Sequence, residues 1–236
     1  MTPIDLMLAH RSIRAYRGDV PDDDLRTAVR AGQAASTSSA IQAYSVIHVR
    51  DADTRARLVE LTGNQPYVAQ GTFLVVCADL RRLDLAAREQ GGAIHMTFEG
   101  TLLAIVDASL FAQNLALALE SMGYGICYIG GLRNDLGAVD DLLGIPDRVL
   151  PLYGMCAGVP DQDPGTRPRL PVDAVLHDDR YLSDDEHLAR VAEYDETYRT
   201  YLTERGATPR TWSEAMAGKY GEVRRPDVAR YYRSKG

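Results

Sequence analysis

Residues 101–122 read TLLAIVDASLFAQNLALALESM, between Gly100 and Gly123. Apolar side chains fall on nearly every face of a 3.6-residue period, and a helix apolar all round is buried in a protein or a membrane. Its length would nearly span a bilayer. Asp107, Gln113, Asn114 and Glu120 argue against that, because such groups are costly in lipid. The stretch therefore reads as the central core helix, ended by Gly123 and able to offer one face to a subunit interface.

Outward from it, the sequence alternates between the two periods. Residues 125–129 form a short strand before Gly130-Gly131, residues 134–143 a helix and residues 150–158 a strand. Residues 72–78 (TFLVVCA) are continuously apolar, as a central strand requires. Residues 44–50 (YSVIHVR) read as a strand and 52–61 as a helix. Asp22-Asp23-Asp24 suits the N-terminus of a helix over residues 25–35. Ser36-Thr37-Ser38-Ser39 ends it, because small hydroxyl residues compete for backbone hydrogen bonds. Residues 160–171 are rich in Pro, Asp and Gly and read as a loop. A charged helix begins at Ser183 and runs to about Leu202, and shorter ones cover 211–219 and 226–232. Strict βαβ spacing is absent, so the expected class is α+β.

A chain of 236 residues suits one large domain or two small ones. Its 45% hydrophobic and 25% charged residues are ordinary for a soluble protein, and its net charge of -7 argues against nucleic acid or an anionic membrane as partner. The first ten residues lack a basic segment followed by an apolar run, so no signal peptide is expected. Cys77, Cys127 and Cys156 each sit in an apolar run and form no CxxC pair. They read as buried, reduced thiols, and a cytoplasmic protein is expected.

Two arginine-rich sites stand out on this acidic chain. His10-Arg11-Ser12-Ile13-Arg14 follows a short apolar helix over 4–9, and Arg167-Pro168-Arg169 lies in the proline-rich loop. Guanidinium forks match phosphate oxygens and stay charged, so the pair points to a specific anion. Each also has a plainer reading: a solvated helix end for the first, ion pairs with Asp161 and Asp163 for the second. The hydroxyl-rich 36–42 loop could line a flat polar ligand or be an ordinary loop. Gly130-Gly131, between a strand and a helix, would let a ligand approach the backbone, although neither GxGxxG nor a P-loop ending is present. The five histidines lack metal-ligand spacing, and no nucleophile–base set is found. No metal and no catalytic side chain are expected; in an enzyme, a cofactor would carry the chemistry.

Taken in order, His10 to Arg14, the Ser36–Gln42 loop, Gln65-Pro66-Tyr67-Val68-Ala69-Gln70, Tyr128-Ile129-Gly130-Gly131-Leu132-Arg133-Asn134 and Arg167-Pro168-Arg169-Leu170 resemble the nitroreductase family. The resemblance is to its oxygen-insensitive NADPH nitroreductase and NADPH–flavin oxidoreductase branch. It covers residues 1–235, including 201–206 and Thr211-Trp212-Ser213.

That resemblance implies an α+β sandwich with a central mixed sheet, flanking helices and a long buried core helix, in an intertwined homodimer. It implies one FMN-binding domain over 1–236, with 183–236 as a helical C-terminal extension. His10, Arg11, Ser12 and Arg14 would contact the FMN phosphate and ring, and Arg167 and Arg169 would complete the phosphate site. Thr37, Ser38 and Ser39 would reach the flavin from the partner subunit. Gln65 and Tyr67 would meet the pyrimidine side of the ring, and Tyr128, Ile129, Gly130 and Gly131 would pack along its dimethylbenzene and N5 region. Arg205 and Arg210, helped by Arg133, would bind the 2′-phosphate of NADPH. Ala40-Ile41 departs from the bulkier residues of many relatives.

The implied activity is ping-pong hydride transfer from NADPH through FMN to nitroaromatics, quinones or free flavin. A flavin-binding redox sensor or store with little turnover is the alternative from another class. A third is an FMN dehydrogenase of a specific metabolite, for which residues 91–100 (GGAIHMTFEG) would be either a lid or a plain surface loop.

Overall fold

The apolar run is helix α5 (Phe98–Ser121) of a computed structural model that describes residues 2–235. The hydroxyl of Thr97 accepts the Gly100 N–H at 3.0 Å and caps the helix, whose first residue lies three positions before the 101–122 run. The chain forms two compact units, Met1–Pro164 with Arg225–Gly236, and Gly165–Arg224.

The first unit runs α1 (Pro3–Leu8), β1 (Tyr16–Gly18), α2 (Asp22–Gln33), β2 (Tyr44–Val49), α3 (Ala52–Leu61), β3 (Thr72–Asp79), α4 (Arg81–Glu89), α5, β4 (Gly125–Ile129), α6 (Leu136–Leu143) and β5 (Val149–Pro160). The sheet order is β1-β5-β3-β2, and β4 also pairs with β5. Every residue of β3 is buried, which accounts for its unbroken apolar sequence.

All four described strand pairings are antiparallel, which corrects the expected mixed sheet. The mixed sheet was implied by the resemblance alone. Here α3 lies in the connection between β2 and β3, yet those strands pair antiparallel. Strand β1 and helix α4 were not anticipated, and the expected 134–143 helix is a 3-10 turn (Gly130–Asn134) followed by α6, whose N-cap is Asp135.

Side chains alternate across a strand. Leu74, Val76 and Ala78 therefore join Phe111, Leu115 and Leu119 of α5 on one side of β3. Phe73, Val75 and Cys77 join Leu58 of α3 and Val139 of α6 on the other. Gly32 lets α2 pack against α5: a Cβ there would sit 2.8 Å from the Phe111 ring. One stripe of α5 is left uncovered, with Phe98, Leu102, Val106 and Leu110 exposed at every fourth residue.

The second unit holds α7 (Asp184–Glu204) and α8 (Trp212–Tyr220). Each starts in a capping box, Ser183 with Glu186 and Thr211 with Glu214. Tyr194, Tyr198 and Ala215 form its small core, with Leu170, Leu202, Trp212 and Met216 against them. The last helix, α9 (Val228–Ser234), belongs to the first unit. Its end is fixed by Lys235 Nζ, which donates to Asp140 at 2.7 Å and to the Ile145 carbonyl at 3.0 Å.

Candidate functional site

The 10–14 segment is laid along β4. The Ile13 N–H donates to the Ile126 carbonyl at 2.9 Å, and Gly125 has no side chain because Ile13 fills that space. Ile13 is thereby buried while Arg14 is exposed. Ser12 and Arg14 both lie beside Cys127, whose thiol is raised by burial and partly lowered again by them. Arg14 also acts on Tyr67, whose hydroxyl is likewise raised by burial and lowered by the arginine's charge.

Tyr67 in turn donates to Gln65 Oε1, and Gln65 Nε2 donates to the Thr62 carbonyl at 2.5 Å. Gly131 packs against this same pair: a Cβ on it would collide with the Thr62 carbonyl and Gln65 Nε2. The first unit thus brings Ser12, Arg14, Gln65, Tyr67 and Gly131 together at β4 and the turn after it. Ile129 is buried, and Tyr128 is anchored from behind, its hydroxyl donating to the Ala112 carbonyl at 2.9 Å. Gly130 lies over Arg133, whose guanidinium donates to the Leu152 carbonyl at an irregularity in the β3–β5 register. Arg133 also lines a cavity of about 590 Å³ with Asn134, Arg225 and Arg230.

At the other end of the segment, His10 Nδ1 lies 2.6 Å from Glu120 Oε1. Arg11 Nε donates to Asp163 at 2.6 Å, and its Nη1 to the Ala9 carbonyl at 3.1 Å. His10, Arg11 and Glu120 line a cavity of about 180 Å³.

Thr37, Ser38 and Ser39 lie on a loop held from α5. Buried Asp107 accepts the Ser38 N–H at 3.0 Å and the Ala43 N–H at 3.1 Å. Asp107 and Glu120 are the site's unforeseen members. Both were visible as charges in an apolar helix, but only as evidence against a membrane span.

In the second unit, Arg167 and Arg169 are exposed near Tyr194, whose hydroxyl donates to the Pro168 carbonyl at 2.9 Å. Arg167 lines an open groove of about 600 Å³ with Glu196, Thr200 and Tyr201. The exposed Arg205 guanidinium stands 5.3 Å over the Tyr201 ring, and Arg210 is exposed.

The three cysteines are buried and free, and burial raises all three thiols, that of Cys77 to about 12. They are inert thiols rather than nucleophiles. Among the described residues no cluster of three or more metal-ligating side chains is found.

The family model described as "Nitroreductase family" matches residues 7–159, and that described as "Nitroreductase family, C-terminal domain" matches 167–236. The chain is 42% identical over 241 residues to an FMN reductase (NADPH) of Bacillus subtilis (strain 168), covering 99% of this chain and 97% of that one. It is 40% identical over 238 residues to an NADPH-flavin oxidoreductase of Vibrio harveyi, again covering 99% and 97%. The solved structure of the NfrA1 nitroreductase from B. subtilis superposes with a TM-score of 0.95 at 40% identity, over 99% of this chain and 98% of that one.

Proposed function

Because this chain belongs to the nitroreductase family, we propose that it is an NADPH-dependent FMN oxidoreductase with nitroaromatics, quinones or free flavin as electron acceptors. The observation that carries this is the gathering of Ser12, Arg14, Gln65, Tyr67 and Gly131 around one end of β4, in a chain that flavin reductases match almost end to end.

The donor set fits the group. FMN combines a doubly charged phosphate, a ring with amide-like edges and a flat apolar face. Arginine forks suit the phosphate, Gln65 and Tyr67 suit the polar ring edge, and the Gly130-Gly131 backbone leaves room for a ring. Bound FMN supplies the hydride chemistry.

The protein's own work is binding and electrostatics. His10 and Arg11 are assigned to the phosphate, the role that the resemblance also gives Arg167 and Arg169. Exposed Arg14 is assigned to the ring, where its guanidinium would stabilise the negative charge of the reduced form. Ser12, Tyr128, Ile129 and Gly130 are assigned to the ring. Arg205 and Arg210 are assigned to the NADPH 2′-phosphate.

The same reading makes the protein a homodimer in which Thr37, Ser38 and Ser39 reach the partner's flavin. The uncovered apolar stripe of α5 supports it, since contiguous apolar faces of this kind mark interaction surfaces. The buried, unpaired thiols support a cytoplasmic location.

The test is a visible spectrum and an NADPH oxidation assay on the purified protein. Flavin absorption bands, or their appearance on adding FMN, are expected, with acceptor-dependent oxidation of NADPH faster than of NADH. A colourless protein that neither binds FMN nor oxidises NADPH overturns the reading.

A further inference from the structure

The 37–42 loop is strained, and one side chain spans its ends. Ser39, Ala40 and Gln42 have φ values of 46°, 57° and 49°, a left-handed region that residues with a Cβ rarely adopt. Three such residues within four positions would relax unless held. The hold comes from α5. Asp107, 1% exposed, takes the Ser38 N–H on Oδ1 and the Ala43 N–H on Oδ2, at 3.0 and 3.1 Å. A carboxylate accepts on both oxygens, so a single ionised side chain can clamp two N–H groups five residues apart. No neutral side chain of that size does this, because the amide of Asn would set an NH₂ against one of the two donors.

We propose that Asp107 is a positioning residue: its carboxylate presets the 37–42 loop before flavin arrives, so that the Ser38 and Ser39 groups meet the ring without further ordering. The proposal rests on the flavin reading above. It gives a role to the one polar side chain among the buried residues of α5. Loop order present in advance is not lost from binding, so it appears as affinity.

Two measurements test it. In Asp107→Asn the dissociation constant for FMN, read by fluorescence quenching, should rise at least tenfold. Ala116→Gly is the control, a destabilising change in buried α5 away from the loop. It should lower Tm by a similar amount and leave FMN affinity unchanged. Equal effects of the two variants on affinity overturn the proposal, since Asp107 would then act only through overall stability.

Amide exchange on the wild-type protein without FMN needs no variant. The Ser38 and Ala43 amides should already be protected. Protection that appears only on adding FMN overturns the proposal, even if Asp107→Asn does not fold. A wild-type protein that binds no FMN overturns the flavin reading and the proposal with it. FMN binding indifferent to Asp107→Asn overturns the positioning role alone.

Discussion

Glu120 sits in the last turn of α5 with its side chain only 10% exposed, and it holds His10 Nδ1 at 2.6 Å. The contact sets the imidazole by turning Nδ1 to the carboxylate. A hydrogen bond to a charged partner contributes roughly 1.5–3 kcal/mol, and one decade of binding is about 1.4 kcal/mol. Glu120→Ala should therefore weaken FMN binding about tenfold, while Glu120→Gln, which keeps an acceptor, should cost much less. A fluorescence titration of both variants checks it; an unchanged affinity in Glu120→Ala would reduce the pair to a helix-end contact. The two acidic residues of α5 also mark the limit of what single residues reveal. The arginines were legible because their chemistry is carried by the side chain itself. Asp107 was not, because its partners lie 69 and 64 positions away and are backbone N–H groups with no residue signature.

The strand β4 and the segment beside it act as one element. Gly125 has no room for a methyl group, because Ile13 occupies that space and is itself fixed by the Ile13–Ile126 backbone bond. Gly125→Ala must push the 10–14 segment off the strand. Overpacking of this kind costs typically 1–3 kcal/mol. The expected outcome is a lower Tm together with weaker FMN binding, measured on the same preparation. A variant that loses neither would show that β4 does not set the position of His10 to Arg14. Elements with a strong period were readable, and α3 and β4 occupy the residues expected from sequence. Strand β1 has three residues, too few to display an alternation. Helix α4 (RRLDLAARE) begins after Leu80, its first N–H groups taken by Asp79 of β3 (Arg81 N–H at 3.0 Å), and its five charges in nine residues on a short segment hid it in the sequence. The direction of strand pairing was hidden for a different reason: a helix between two strands permits either direction, and only the sheet decides.

At the scale of the whole molecule, α5 is the residue run that the rest of the first unit surrounds, yet one of its faces is not covered by its own chain. Phe98 is 83% exposed, and Leu102, Val106 and Leu110 are between 42% and 45% exposed. Ile4, Met7 and Leu8 of α1 add further exposed apolar side chains. A helix apolar all round announced this in the sequence, because a core helix with no second partner would have carried polar residues on its outer side. The extent of α5 as a core element was therefore legible, while the proposed second copy on its open face leaves no signal of its own, since it adds no new letters to the sequence. In the proposed homodimer, burying this stripe against another protomer would remove apolar area from water and supply the association energy. A charge placed in the centre of such a face would be desolvated without a partner. Val106→Glu combined with Leu110→Glu should thus yield a monomer by light scattering, with the first unit still folded by circular dichroism. If Thr37 to Ser39 complete the flavin site of the partner, that monomer should also lose FMN affinity by about tenfold or more, because hydrogen bonds are removed from each site. A variant that stays dimeric would place the interface on another surface. A monomer that keeps its full affinity would return the 37–42 loop to its own subunit.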